Sequence, residues 1–93
     1  MKDQKLELIA FRLSKADEAY DMANIAATKN YLSTTVSELY YTCFYLLTAL
    51  FAKYDIKAST HSGVKSVFGS QFINEGVIDQ KWGKMVSKLF LMR

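Results

Sequence analysis

Apolar residues at positions 6, 9, 13, 16, 20, 23 and 27 recur at alternating steps of three and four. That is the spacing of one face of an α-helix. The pattern predicts a helix over residues 4–28, roughly 37 Å long at ~1.5 Å per residue. Its seam is Leu6, Ile9, Leu13, Ala16, Tyr20, Ala23 and Ala27, with Asp17, Glu18 and Asp21 off the seam and in water. The small Ala16, Ala23 and Ala27 let a neighbouring helix approach closely.

The pattern breaks at residues 30–33. Asn30, Ser33 and Thr35 can each cap a new helix, and Thr35 with Glu38 has the spacing of a capping box. The second helix runs from one of these starts to about Tyr54. Val36, Tyr40, Phe44, Leu47, Phe51 and Tyr54 form its main seam, while Tyr41, Tyr45, Leu46 and Leu50 fall on other faces. A helix that is apolar nearly all round belongs at the centre of a bundle or in an interface. Tyr40 lies on the seam, so its hydroxyl needs a buried partner. Residues 39–52 carry no charge, but a bilayer needs about 20 such residues, so no membrane span is expected.

Residues 55–59 read as a polar connector. Ser59 or Thr60 can cap a third helix whose apolar face is Val64, Val67, Phe68 and Phe72. Gly76 suits the left-handed residue that ends it. Asp79 can cap a fourth helix, with Trp82, Met85, Val86, Leu89 and Phe90 inward. The sequence stops at Leu91-Met92-Arg93 inside an apolar helical pattern, and the expectation is a natural end further on.

Composition supports helices throughout. Half of the 93 residues (51%) are hydrophobic, proline is absent and only four glycines occur, too few turn formers for a β-rich fold. This length allows one domain, residues 1–93. The net charge of +3 divides into −1 for residues 1–46 and +4 for residues 47–93. A basic second half favours an acidic partner such as nucleic acid, although Lys81, Lys84 and Lys88 also suit the wet face of a helix.

Candidate chemistry is sparse. Cys43 is the sole cysteine, so there is no disulfide framework and no multi-cysteine zinc site, and a reducing cytoplasm fits. The first residues carry acids and lack the apolar core of a signal peptide. His61 is the sole histidine, which excludes metal sites built on paired histidines. There is no G-x-S-x-G elbow, P-loop or G-x-G-x-x-G run. No cofactor is expected. Thr60-His61 at a helix start reads as a cap, or as a place where free N–H donors meet an anion. Tyr40, Tyr41, Phe44 and Tyr45 read as core, with base stacking as the alternative.

Four stretches in order resemble the HEPN family. They are Leu13-x-x-Ala16; Tyr31 followed by Ser37-Glu38-Leu39-Tyr40-Tyr41-Thr42-Cys43-Phe44; Thr60-His61-Ser62-Gly63-Val64 with Phe68, Phe72 and Gly76; and Leu89-Phe90-Leu91-Met92-Arg93. The resemblance covers nearly the whole chain. It implies an all-α, up-and-down antiparallel bundle, with four helices present, the family's final helix missing, and a homodimer.

The resemblance also implies a partner module beside a small nucleotidyltransferase, in toxin–antitoxin or defence settings, associated with nucleotide or RNA. Arg93, His61, Thr60 and Tyr41 are the candidate ligand-binding residues. Some family members are metal-independent RNases using an R-x4-6-H motif, in which histidine moves protons and arginine stabilises phosphoryl charge. Here the arginines are Arg12 and Arg93, and the nearest positions that could serve His61 hold Tyr54, Asp55 and Ile56. The motif is absent from this chain, so a non-catalytic module is expected and no catalytic residue is assigned. The alternatives are an RNase whose site is completed beyond Arg93, and a dimerisation scaffold.

Overall fold

The computed structural model describes residues 2–93. The fold is an all-α bundle of four helices, with no strand among the described residues. They are α1 (Lys2–Thr28), α2 (Leu32–Lys53), α3 (His61–Val67, continued by a π-helical segment, Phe68–Ile73) and α4 (Gln80–Met92). The bundle measures 42 × 30 × 20 Å, and its long dimension is that of α1.

α2 lies at the centre. α1 packs along one side of it, and α3 and α4 pack against the other. The core gathers Tyr40, Leu47 and Phe51 of α2, Val64 of α3, Phe68 and Phe72 of the π-helical segment, and Val86 and Phe90 of α4. Phe51 is fully buried and stacks on Phe72, with ring centroids 5.6 Å apart. Removing surface of this size from water is worth about 1.5–3 kcal/mol per side chain. α2 therefore contributes much of the apolar driving force, as its pattern predicts. Tyr54 is an exception on the seam and stays 55% exposed, just past the end of the helix.

The turns obey left-handed C-cap geometry. At the end of α1, Asn30 takes φ 60°. The Tyr31 and Asn30 N–H groups donate to Ala26 and Ala27 carbonyls. Asp55 repeats the arrangement after α2 at φ 59°, with Ile56 and Asp55 N–H groups donating to Phe51 and Ala52. Both are Schellman motifs, and Asn and Asp tolerate the left-handed region better than most residues. Asn30 thus ends α1 rather than starting α2. The Thr35–Glu38 capping box does not form: Thr35 lies within the helix and its hydroxyl donates to the Tyr31 carbonyl at 2.8 Å.

The remaining caps match the sequence. Thr60 Oγ1 accepts from Gly63 N–H at 3.0 Å, and Asp79 Oδ1 accepts from Lys81 N–H at 2.9 Å. Gly76 sits at φ 75° after the π-helical segment. In that segment Asn74 N–H reaches back to the Gly69 carbonyl at 2.9 Å, a wider turn than in an α-helix. Gly83 lets α4 lie against it, since a Cβ there meets Ile73 at 3.0 Å.

Two apolar faces match expectation in part, Ala16 and Ala23 on α1 and Val86 and Phe90 on α4 being buried as expected. The face of α1 against α2 is Ala16, Ala19, Ala23 and Ala26, all buried. Leu6, Leu13 and Tyr20 are exposed at 63%, 44% and 52%, and Ala27 also faces outward. The alanines prevail because α2 presents bulky residues, and only small partners allow the two backbones to close together. On α4, Val86 and Phe90 are buried while Trp82 and Met85 stay about half exposed. A narrow stripe of this short helix meets α2, so the outer part of its apolar face has nothing to cover it.

This packing predicts that Ala19→Leu overfills the α1–α2 contact and costs about 1–3 kcal/mol. Leu13→Ala, on the exposed shoulder, changes stability by only about 0.5 kcal/mol. Urea denaturation of the two variants measures both, and the reverse ranking contradicts the observed face.

Candidate functional site

Tyr40 is the point where His61 and Arg93 meet. It is 2% exposed, and its hydroxyl lies 3.0 Å from His61 Nδ1. The partner that its position on the seam requires is thus the first residue of α3. Burial raises the phenol above its ordinary pKa, and the nearby Arg93 charge offsets part of that rise. A protonated phenol donates to Nδ1 when the imidazole carries its own proton on Nε2.

Aromatic packing fixes both rings. His61 stacks on Tyr40 at 5.5 Å and 29°, and it tilts against Phe90 of α4 at 4.8 Å. Phe90 meets Tyr40 edge-on at 4.8 Å. Beyond the last turn of α4, the Arg93 guanidinium sits over the Tyr40 ring, 4.6 Å from its centroid. A cation over a phenol face is attracted by the ring quadrupole, and the carbonyl end of the helix favours positive charge. Arg93 N–H also donates to the Leu89 carbonyl at 3.2 Å, which closes the end of α4.

Three separate elements therefore converge on one side chain. His61 and Arg93, distant in sequence, share the Tyr40 ring. Thr60 stands beside the cluster as the cap that starts α3, and its hydroxyl is engaged by Gly63. Gly63 has a steric reason to be glycine: a Cβ there would lie 2.7 Å from Thr60 Oγ1. Tyr41 packs edge-on against Tyr40 at 5.1 Å and is 40% exposed. It turns toward a notch of about 280 Å³ shared with Lys15, Glu18, Met22, Glu38 and Tyr45. The spacing of Tyr40 and Phe90 places them in the core, and they are also what holds the site together. A seam tyrosine that needs a partner was the one sequence signal for this role.

Cys43 is half-buried next to the core, and burial pushes its thiol up to about 11. It is an apolar packing group rather than a nucleophile at neutral pH. Among the described residues no three His, Cys, Asp or Glu side chains gather in one place. No described helix is long and apolar enough to cross a membrane. A groove of about 470 Å³ between the π-helical segment and α4 has Phe68, Ile73 and Val86 on its floor and Lys65, Lys84 and Lys88 at its rim. It holds none of the sequence candidates.

An all-α bundle with Tyr-Tyr on its central helix and a Thr-His-Ser-Gly-Val cap places the protein in a recognisable class. The HEPN domain model matches residues 9–93, and the chain belongs to the HEPN family. It is 28% identical over 88 residues to a UPF0332 protein of Thermotoga maritima, covering 95% of this chain and 67% of the relative. It is 29% identical over 92 residues to a protein of Methanocaldococcus jannaschii named "putative toxin", covering 99% of this chain and 68% of that one. A second "putative toxin" of the same organism is 25% identical over 81 residues, 87% of this chain and 55% of the relative. No solved structure matches the chain significantly.

Two outcomes test the site. Tyr40→Phe removes one hydrogen bond from the buried cluster and lowers stability by about 0.5–1.5 kcal/mol in urea denaturation. Alkylation of Cys43 by iodoacetamide at pH 8 is slow in the folded protein and becomes fast only on unfolding. The neutral thiol is favoured by the fold, so stability falls as pH climbs from the ordinary thiol range toward about 11.

Proposed function

We propose that residues 1–93 act as one HEPN unit of a toxin–antitoxin type pair, and that the Tyr40–His61–Arg93 cluster receives a phosphate of nucleotide or RNA. The observation that carries this reading is the sharing of one buried phenol ring by a guanidinium and an imidazole. Arg93 supplies a planar, permanently charged donor fork suited to phosphate. His61 is oriented by Tyr40, and Tyr41 offers a partly exposed aromatic face at the edge of the same cluster. Thr60 sets the start of α3, and with it the position of His61.

In this reading the chain is a binding module, with a nucleotidyltransferase as its protein partner. Two relatives named as toxins support the toxin–antitoxin setting. A homodimer belongs to the same reading. Leu6, Phe11, Leu13, Tyr20, Met22 and Ile25 leave α1 with more exposed apolar surface than a lone helical bundle needs.

A second reading, RNA cleavage, is favoured by one feature of the site. Phosphoryl transfer needs a proton carrier and a charge stabiliser at the same phosphate, and His61 with Arg93 provides both types.

Fluorescence anisotropy with a labelled single-stranded RNA tests the binding reading. Affinity falls as salt rises, and Arg93→Ala lowers the logarithmic salt slope by about 0.7, the value for one lost phosphate contact on a single strand. Absence of binding at low salt contradicts the proposal. Intact RNA after prolonged incubation supports the binding module. Cleavage that disappears in both His61→Ala and Arg93→Ala establishes the second reading instead.

A further inference from the structure

A second cluster of positive charge lies away from Tyr40, where the first half of α1 meets the connector after α2. A cavity of about 630 Å³ there is lined by Lys5 and Arg12 of α1, Asp55 and Lys57 of the connector, and Ser59. The size is that of a small-molecule site. Gln4, Leu8, Ala52, Ile56 and Ala58 complete its walls, and none of its lining residues is aromatic.

Arg12 is the unusual member. It is half-buried, and its Nη1 donates to the Thr48 carbonyl at 2.8 Å. That carbonyl lies within α2, so it offers a lone pair but no charge. Among the described residues, the ion pairs are Lys5–Asp55 and Lys15–Glu18, and no acid lies within 4.0 Å of Arg12. Charges removed from water are ordinarily paired. Here a guanidinium is fixed in direction by the backbone and left without a counter-ion, on the wall of a cavity that also holds Lys5 and Lys57.

Asp55 accounts for one of the three cations, since Lys5 Nζ lies 3.2 Å from its carboxylate. Its backbone is held at φ 59° by the turn that ends α2, and its largely exposed side chain lines the cavity at that turn. The remaining excess is two positive charges. A single carboxylate ligand matches one of them. A phosphate group matches both and accepts several hydrogen bonds at once, including the fork of Arg12.

We propose that the Lys5–Arg12–Lys57 cavity is a phosphate-binding site, in which Arg12 is the fixed anchor and Asp55 is a built-in competitor. With no aromatic wall to stack a base, the site takes the phosphate of an ester or of a nucleic-acid backbone without reading the base. This assignment does not rest on the Tyr40 cluster. The connector joins the two places, because Ser59 lines the cavity and the next residue, Thr60, starts α3.

The test is an NMR and calorimetric titration of the whole chain with inorganic pyrophosphate at low salt. The side-chain signals of Arg12 and Lys57 shift with a common dissociation constant. Arg12→Gln and the exposed Lys57→Gln each weaken binding, the former by about tenfold or more. Asp55→Asn keeps a residue tolerant of the left-handed turn, removes the competing carboxylate and tightens binding by about two- to fivefold. A gain of this kind cannot come from misfolding. Pyrophosphate bound at the Tyr40 cluster would move the Arg93 side-chain signal with its own dissociation constant, whereas the cavity is read at Arg12 and Lys57 alone, which separates the two sites.

A short RNA with a 5′-phosphate and its 5′-hydroxyl counterpart distinguish the sources. Preference for the former marks a terminal phosphate, and equal binding marks the backbone. Failure of the wild-type chain to bind pyrophosphate overturns the proposal, and so does Asp55→Asn binding no more tightly than wild type.

Discussion

A phenol buried to 2% exposure must find a hydrogen-bond partner, and among the described residues the partner of Tyr40 is the imidazole at the start of α3. That requirement governs much of the architecture. It fixes where α3 begins relative to α2, because His61 must stack on the ring and still reach the hydroxyl. It places α4 as well, because Phe90 closes against both rings. The end of α4 then delivers the Arg93 guanidinium over the ring of the same phenol. Stability and candidate chemistry are thus two aspects of one cluster. Apolar burial supplies most of the energy, through Phe51, Phe68, Phe72 and Val86. The Tyr40–His61 contact decides which of several compact arrangements is adopted, since an unpaired buried hydroxyl is costly.

The two sides of α2 do different work. On one side, four alanines of α1 give a close, smooth contact, with Arg12 reaching across to the Thr48 carbonyl. On the other, aromatic residues from three elements interlock. The alanine contact leaves the larger apolar residues of α1 exposed, and this explains why the bundle has an apolar exterior. The aromatic side leaves little freedom, so His61 and Arg93 are presented in fixed directions.

Much of this was legible in the sequence. Thr60, Asp79 and Gly76 mark their helix ends as their side chains and backbone preferences predict. The centrality of α2 follows from its apolar residues on every face. Asn30 was ambiguous, because asparagine serves equally as an N-cap and as a left-handed C-terminal residue, and the Schellman bonds to Ala26 and Ala27 decided the matter. The face of α1 is legible only in part: Ala16 and Ala23 of the expected seam are buried, but two stripes share the same period. One holds Leu6, Leu13 and Tyr20, and the other holds the alanines. Hydrophobicity favours the first, whereas the bulk of α2 selects the second. Trp82 and Met85 failed for a related reason: a short helix can carry a wider apolar face than its neighbours cover. The meeting of His61 and Arg93 on Tyr40 was not legible at all, because nothing local links residues so far apart. The family resemblance pointed to each of them separately, and only the packing of Phe90 brings them together.

His61 and Arg93 share the ring of Tyr40, and the phosphate role proposed for the three depends on their acting as one unit rather than as independent packing residues. Nitrogen-15 NMR of the His61 imidazole and the Arg93 guanidinium, followed during titration with a short single-stranded RNA, tests it most directly. The account predicts that His61 Nδ1 shows the signature of a hydrogen-bond acceptor in the free protein. It further predicts that the His61 and Arg93 signals move together, with one dissociation constant, as RNA is added. Movement of Arg93 alone, or of neither residue while RNA binds elsewhere, contradicts it.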